Sequence, residues 1–401
     1  MLWTVAGDKE KSAGVRWYGA CCLACFGVYG FPSSVGKDMN SAIDDRSSAD
    51  VIFIVGDGSR LFAHGVMLAA RCESMLPAKL QSKVHVGSIA TDLKSSSHSN
   101  PNIVECCDVS PGEDEEMVDP VRSAPVEVQV SPRLSRGSLK ALLEFVYSGI
   151  VYIPLNLVAE MKILSKRCHV EPLTSLLQGK SPVWGQPSAL CDLSLILDSK
   201  GYPLSDILLQ PETLSSELSS ENLCRACNLK ADHLHAHRIV LSSRCDYFQA
   251  LFRSGMRDSA QKEVKLPVSI GTIERLVLYL YSGELTKKIV SDCAWRYSGT
   301  ESQLAFLASL LELAELAGQW VLEDLQELTV ALIGTYLNKN IHLCLPVLSL
   351  AADKQLWAVV ESCAECLAPL YPQLRDSGAL DDLHEELRDL VRATNVKLFL
   401  T

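Results

Sequence analysis

One ordered pattern runs through this chain twice. The better-kept copy reads Asp206-Ile207-Leu208-Leu209, then His235-Ala236-His237-Arg238-Ile239-Val240-Leu241-Ser242-Ser243-Arg244-Cys245-Asp246-Tyr247-Phe248, then Tyr279-Leu280-Tyr281-Ser282-Gly283. The looser copy reads Asp50-Val51-Ile52-Phe53-Ile54-Val55, then Ala63-His64-Gly65-Val66-Met67-Leu68-Ala69-Ala70-Arg71-Cys72-Glu73, then Phe145-Val146-Tyr147-Ser148-Gly149. Three signals in the same order, twice, mark an internal duplication. Each copy must therefore supply the same succession of apolar strand, short strand passing into helix, and apolar helix. Ser242 and Ser243 can cap a following helix by accepting its free backbone N–H groups. Tyr247, Phe248, Leu251 and Phe252 recur at helical spacing and form one apolar face. The expected fold class is α+β, mixed and helix-rich.

The residues of this pattern resemble a BTB/POZ domain: Asp before an apolar strand, Ala-His-Arg, Leu-x-x-Arg-Cys-Asp-Tyr-Phe, then Tyr-Ser-Gly. The second copy is close to the pattern and the first is loose. The whole is similar to a plant class with two BTB domains behind an armadillo-like helical region. The resemblance implies two BTB/POZ folds in tandem with a helical C-terminal extension.

The boundaries follow from composition and spacing. Residues 1–48 are a helical N-terminal segment whose Trp17 to Gly27 stretch reads as one packed helix, stopped at Phe31-Pro32-Ser33-Ser34. It resembles the last helix of an armadillo-type repeat. That likeness implies that the chain is the C-terminal part of a longer design, or an isoform that kept only the last repeat. A single repeat cannot bury its own face, so this segment is expected to lean on the first copy. The first copy spans 49–178. Asp57-Gly58-Ser59 is its hairpin signal, and Val126, Val128 and Val130 alternate as a strand. It is longer than the second copy by about 39 residues between the His and the Gly, and composition places these near 81–125. That stretch carries Ser95-Ser96-Ser97, Pro111-Gly112 and the acid run Glu113 to Glu116, and it has no apolar period. It is expected to be a disordered acidic insertion, because it cannot offset its ordering entropy. Residues 179–203, with Pro182, Gly185, Pro187 and Gly201, suit a linker. The second copy spans 204–340 and includes a polar loop from Glu212 to Asn228. Residues 341–401 stay helical, broken at Pro346, Pro369 and Pro372, and resemble the start of a BACK domain.

Composition removes several function classes. A net charge of −11 over 401 residues argues against sequence-independent nucleic-acid binding, which needs a basic face to displace counterions. It argues equally against an anionic membrane surface. Tyr18 to Phe31 is too short for a membrane span. Several of the fifteen cysteines sit inside apolar helical text (Cys293, Cys344, Cys363, Cys366). With no secretory signal in view, they read as buried small hydrophobes of a reducing, cytoplasmic or nuclear compartment. No Ser/His/Asp order, phosphate loop or paired-carboxylate spacing stands out. The expectation is a protein that is not an enzyme and carries no cofactor.

Four constellations remain. In the BTB family, residues matching Asp206 and Arg238 lie together in a charged pocket at the dimer interface. The alternative is a buried ion pair that fixes strand geometry. The first copy keeps Asp50 but has Gly65 in place of the Arg. His64 and His237 are read as hydrogen-bonded core residues, beside the core positions Tyr247 and Phe248. Cys224, Cys227, His233 and His235 have the residue types of a zinc site, but the Cys-to-His gap is shorter than in the usual fingers. Metal binding is therefore the lesser reading. In cullin-binding BTB domains an apolar residue, any residue, then Glu follows the helix ending here at Phe252. Met256-Arg257-Asp258 fits, with Asp for Glu, so Phe252, Met256 and Asp258 are the candidate cullin contacts. A solvated loop is the other reading. The first copy has Met75-Leu76-Pro77 and lacks the acid.

The resemblance thus implies a substrate adaptor of a cullin-3-type RING ubiquitin ligase. Its partners would be a cullin scaffold and an unidentified protein substrate. The alternative is an oligomeric BTB scaffold or transcriptional co-regulator without a cullin. Pairing of the two copies within one chain, or with another chain as a homo- or heterodimer, is left open by the sequence.

Overall fold

The computed structural model describes residues 1–8, 11–86, 103–105, 125–179, 193–197, 202–212, 233–285 and 303–400. Its N-terminal segment holds α1 (Leu2–Gly7), α2 (Ala13–Ala24), β1 (Val28–Gly30) and α3 (Ser34–Asn40). Ser12 and Ser33 cap α2 and α3 by accepting N–H groups of Val15 and Gly36. The first unit follows with β2 (Val51–Ile54), β3 (Arg60–Ala63), α4 (Gly65–Arg71), α5 (Ala78–Val86), β4 (Ile103–Glu105), β5 (Val126–Val130), α6 (Arg136–Ser148), β6 (Ile150–Tyr152), α7 (Val158–Arg167) and α8 (Glu171–Leu177). The second unit has β7 (Ile207–Pro211), β8 (Leu234–Ala236), α9 (Arg238–Arg244), α10 (Asp246–Arg253), β9 (Glu263–Leu266), α11 (Ile270–Ser282), α12 (Gln303–Gln319) and α13 (Glu323–Lys339). The chain continues through α14 (Cys344–Asp353), α15 (Trp357–Leu367), α16 (Tyr371–Asp376) and α17 (Glu385–Leu400). The class is helix-rich α+β.

The larger sheets of the two units are wound alike. In the first unit the order is β3-β2-β5-β4, with β2 antiparallel to β3 and parallel to β5. In the second it is β8-β7-β9, with β7 antiparallel to β8 and parallel to β9. The register agrees too: Val51 faces Ala63 and Ile207 faces Ala236, each Ala preceding its His by one residue. The β2–β3 hairpin turns at Gly58, in the left-handed region at φ 79°.

The helix ends repeat in the same way. Ser135 caps α6 and its hydroxyl also reaches Glu160 of α7 at 2.9 Å. Ser269 caps α11 and its hydroxyl reaches Glu312 of α12 at 2.7 Å. Burial pushes the Glu312 carboxyl up, but the hydroxyls of Ser269 and Thr272 outweigh it and hold the group below its usual range. Both long helices stop at a left-handed Gly, Gly149 and Gly283. No side chain fits that backbone conformation without strain, which is why Tyr-Ser-Gly recurs.

Several regions differ from the sequence reading. The N-terminal segment leans on the first unit through a strand the periodicity does not reveal: β1 pairs antiparallel with β6, Val28 opposite Tyr152. Gly30 makes this pairing possible, since a Cβ there would collide with the Gly149 carbonyl oxygen, and Gly36 lets α3 approach α6 in the same way, at the Ser148 carbonyl. The stretch 81–125, expected to be structureless, supplies the end of α5 and strand β4, which pairs with β5. Pairing with β5 satisfies backbone groups that composition alone leaves without partners. Residues 87–102 and 106–124, the acid run among them, lie outside the described residues. Within 179–203, expected to be a linker, Leu193, Ile196 and Leu197 are buried.

The C-terminal boundary is also less sharp than composition suggests. Leu313, Leu316, Ala317 and Leu325 of the α12–α13 pair belong to the core that runs through both units. Leu307, Leu310, Leu311, Ile333 and Leu337 of the same pair belong to a second core with α14, α15 and α17. The pair is a shared wall, so no core boundary falls at residue 340. The prolines restart helices rather than end them: Pro346 sits in the first turn of α14 and Pro372 in that of α16. The first turn donates no intrahelical N–H bond that proline would remove. No described helix is long and apolar enough to cross a membrane.

Candidate functional site

The site is built on α9 and α10 of the second unit. Asp206 lies just before β7, and its carboxylate accepts the backbone N–H of Arg238 at 2.8 Å. It anchors the start of α9, so the sequence-based picture of an Asp206–Arg238 ion pair needs correction. The Arg238 guanidinium, on a residue only 6% exposed, turns the other way. It donates to the carbonyl oxygens of Ser259 and Gln261, and its Cζ lies 4.7 Å over the Phe252 ring. One planar fork thus ties the helix start to the segment that follows α10. A cation also polarises carbonyl acceptors, giving bonds stronger than neutral ones.

That segment is a folded turn. Gly255 takes φ 67°, and the Ser259 N–H and hydroxyl both donate to the Met256 carbonyl, at 3.0 and 2.6 Å. The Met256 side chain is left 71% exposed. Asp258 lies in the helical turn Arg257–Ala260; its side chain lies outside the described residues.

Aromatic rings continue the surface away from this turn. Phe248 is buried and touches Phe252, Tyr247 and Trp320. Tyr247, expected in the core with Phe248, is instead 37% exposed and stacks on Trp320 with centroids 4.0 Å apart and planes 7° off parallel. Neighbours on a helix point about 100° apart; here Phe248 turns into the core and Tyr247 turns out against Trp320. Trp320, at the end of α12, is a member the sequence reading missed. Its neighbour Val321 holds a left-handed backbone, φ 57°, while 76% exposed. Helix-to-helix corners of the same hand occur at His169 and Gln355. A β-branched residue in that conformation is strained. Val321→Gly is accordingly expected to stabilise the fold by about 1 kcal/mol, read as a raised urea midpoint; an unchanged or lower midpoint would remove the strain argument.

Behind this face each unit holds a His–Tyr lock. The His237 N–H donates to the Tyr281 hydroxyl at 2.8 Å, and Nδ1 lies 2.9 Å from the same oxygen. For His64 and Tyr147 the distances are 2.8 and 2.6 Å. Burial pushes both phenols well up from the usual value, so each keeps its proton. Each hydroxyl thus accepts a backbone N–H and lies within hydrogen-bond reach of Nδ1. The His64 Nε2 lies 2.9 Å from Ser48 Oγ, and Ser48 donates to Asp45 at 2.8 Å. The carboxylate meets the serine and a tyrosine holds the other ring nitrogen, so these linked hydrogen bonds are a structural relay and lack a triad's order.

The remaining candidates divide. His233 and His235 are buried, with His235 Nδ1 3.0 Å from Ser205 Oγ and its ring 5.2 Å from that of Tyr202. Cys224 and Cys227 lie outside the described residues. Among the described residues no group of three or more His, Cys, Asp or Glu is arranged to hold a metal ion.

The small sheet and its paired helices present an exposed loop at Met256 and an aromatic face at Tyr247 and Trp320, a surface suited to contact with another protein. Residues 218–319 match the BTB/POZ domain family, so that part of the second unit is a BTB/POZ domain. The chain is 34% identical over 390 residues, 97% of its length, to the BTB/POZ domain-containing protein At1g04390 of Arabidopsis thaliana. It is 33% identical over 122 residues to BTB/POZ domain-containing protein 9 of Mus musculus, and 26% identical over 123 residues to mouse Kelch-like protein 22. Those two alignments cover 29% and 28% of this chain. The chain spans 36% of the plant relative's length and 17% and 19% of the two mouse proteins.

Proposed function

We propose that this chain is a substrate-specific adaptor of a cullin-3-type ubiquitin ligase and that its second unit, 204–340, is the cullin-binding BTB/POZ fold. The first unit, 49–178, is read as a second, eroded BTB/POZ fold, with an armadillo-like segment at 1–48 and a BACK-like extension at 341–401. The supporting observation is the Met256 turn: a flexible apolar side chain projects from a loop whose backbone Arg238 pins. Such an anchor fits an apolar groove with little loop entropy to lose on binding. Phe252 underlies the turn, and Asp258 supplies the charge that would set docking register. The ligase chemistry would belong to the partners; this chain would bring the substrate.

The test is capture of a purified cullin N-terminal domain by the full chain. The wild type is expected to bind, and Met256→Ala with Asp258→Lys to weaken binding at least about tenfold, the loss of roughly 1.4 kcal/mol. Undiminished binding by that double variant would remove the proposed contact. No binding by the wild type would favour a BTB scaffold or co-regulator that works without a cullin.

A further inference from the structure

Each unit is preceded by a short helical segment, and each segment lies across the other unit. Ahead of the first unit, α3 packs along α6 and also against α9 and α11 of the second. Its Asp38 carboxylate pairs with the Arg244 guanidinium of α9, on a side chain only 5% exposed. Ahead of the second unit, the turn Ser194–Leu197 packs against α11 and also against α4 of the first. The Leu193 N–H donates to the Tyr281 carbonyl at 3.0 Å, and Leu193, Ile196 and Leu197 are buried. Helices α4 and α9 are equivalent in the duplication, since each follows its Ala-His. The two crossings are therefore reciprocal, and one continuous core runs through both units.

The first unit has lost what the second projects. At the position of Arg238 stands Gly65, where a Cβ would meet Leu80 Cδ1 at 2.8 Å. Leu80 of α5 thus closes the space beside α4, and α5 packs on the turn Tyr202–Leu204 at the start of the second unit. Ser74 stands for Tyr247 and bonds the Cys168 carbonyl at 3.0 Å. The first unit has a helix, α5, where the second has its exposed Met256 turn.

We infer that the first unit is a resident pairing partner for the second, so that the chain closes on itself and presents one scaffold-binding face. The count of one face rests on the adaptor reading above; the pairing does not. A tethered partner sees an effective concentration near the millimolar range, so at about 1 µM chain the same face prefers its own partner by about a thousandfold.

The experiment uses the full chain with a protease site inserted between residues 180 and 192. Light scattering should give the monomer mass of 43.9 kDa before cleavage, and the two halves should remain associated after it. Asp38→Arg should weaken the nicked pair at least about tenfold, and Asp38→Arg with Arg244→Asp should restore it. Added cullin N-terminal domain should saturate at one per chain. Halves that part on cleavage, or an intact dimer that Asp38→Arg converts to monomer, would overturn the pairing. Two cullin domains per chain would overturn the single face. A chain that binds no cullin but keeps its halves together would leave the pairing standing and remove only the adaptor reading.

Discussion

Arg238→Ala is expected to cost about 3–5 kcal/mol, because it removes two charge-assisted hydrogen bonds and a cation–π interaction at once. The guanidinium is buried and its two carbonyl partners, Ser259 and Gln261, are held by that one fork. The variant should show a lowered denaturant midpoint and faster amide exchange through residues 257–262, because the turn carrying Met256 loses its pin. Arg238→Lys should recover less than half of the loss. An ammonium is a point donor and cannot span two carbonyls in one plane. A lysine variant as stable as the wild type would show that charge, and not the fork, holds the turn.

Tyr281→Phe is expected to cost about 2–3 kcal/mol, since it strands a buried backbone N–H and a ring nitrogen of His237 at once. Phenylalanine keeps the ring packing, so the loss isolates the hydroxyl. Tyr147→Phe should cost the same within about 1 kcal/mol, because His64 is bound at matching distances and like geometry in like burial carries like energy. Thermal or urea unfolding of the two variants measures this directly. A loss below about 0.5 kcal/mol in either, within the range of an ordinary surface change, would mean that the lock contributes nothing to that unit.

The sequence set more of this than its divergence suggests. The repeated Asp, Ala-His and Tyr-Ser-Gly mark three backbone requirements: a carboxylate for the helix-start N–H, a His to receive the tyrosine, and a left-handed stop. Only the left-handed stop is local; the carboxylate and the tyrosine meet their partners across long stretches of chain, yet all three appear at equivalent places in both units. Even Arg71 and Arg244, 173 positions apart in the chain, reach equivalent carbonyls, Val146 and Leu280, at the ends of α6 and α11.

The aromatic face and the closure of the chain were a different matter. Tyr247 and Phe248 are adjacent in helical text, and only the arrival of Trp320 from α12 decides which is core and which is surface. Asp206 and Arg238 carry opposite charges, so pairing them is the natural reading. The guanidinium instead finds carbonyls that the loop after α10 brings to it. Strand β1 is three residues long, and its partner lies 122 positions further on, too short and too distant for any period to register.

Repetition, turn chemistry and helix caps marked out the two units, since each depends on residues whose backbone preferences act where they stand. Which surfaces meet was decided only in three dimensions. Pairs such as Asp38 with Arg244 and Leu80 with Gly65 join residues that no local preference relates, and they form because the apolar faces of both units must be covered at the same time.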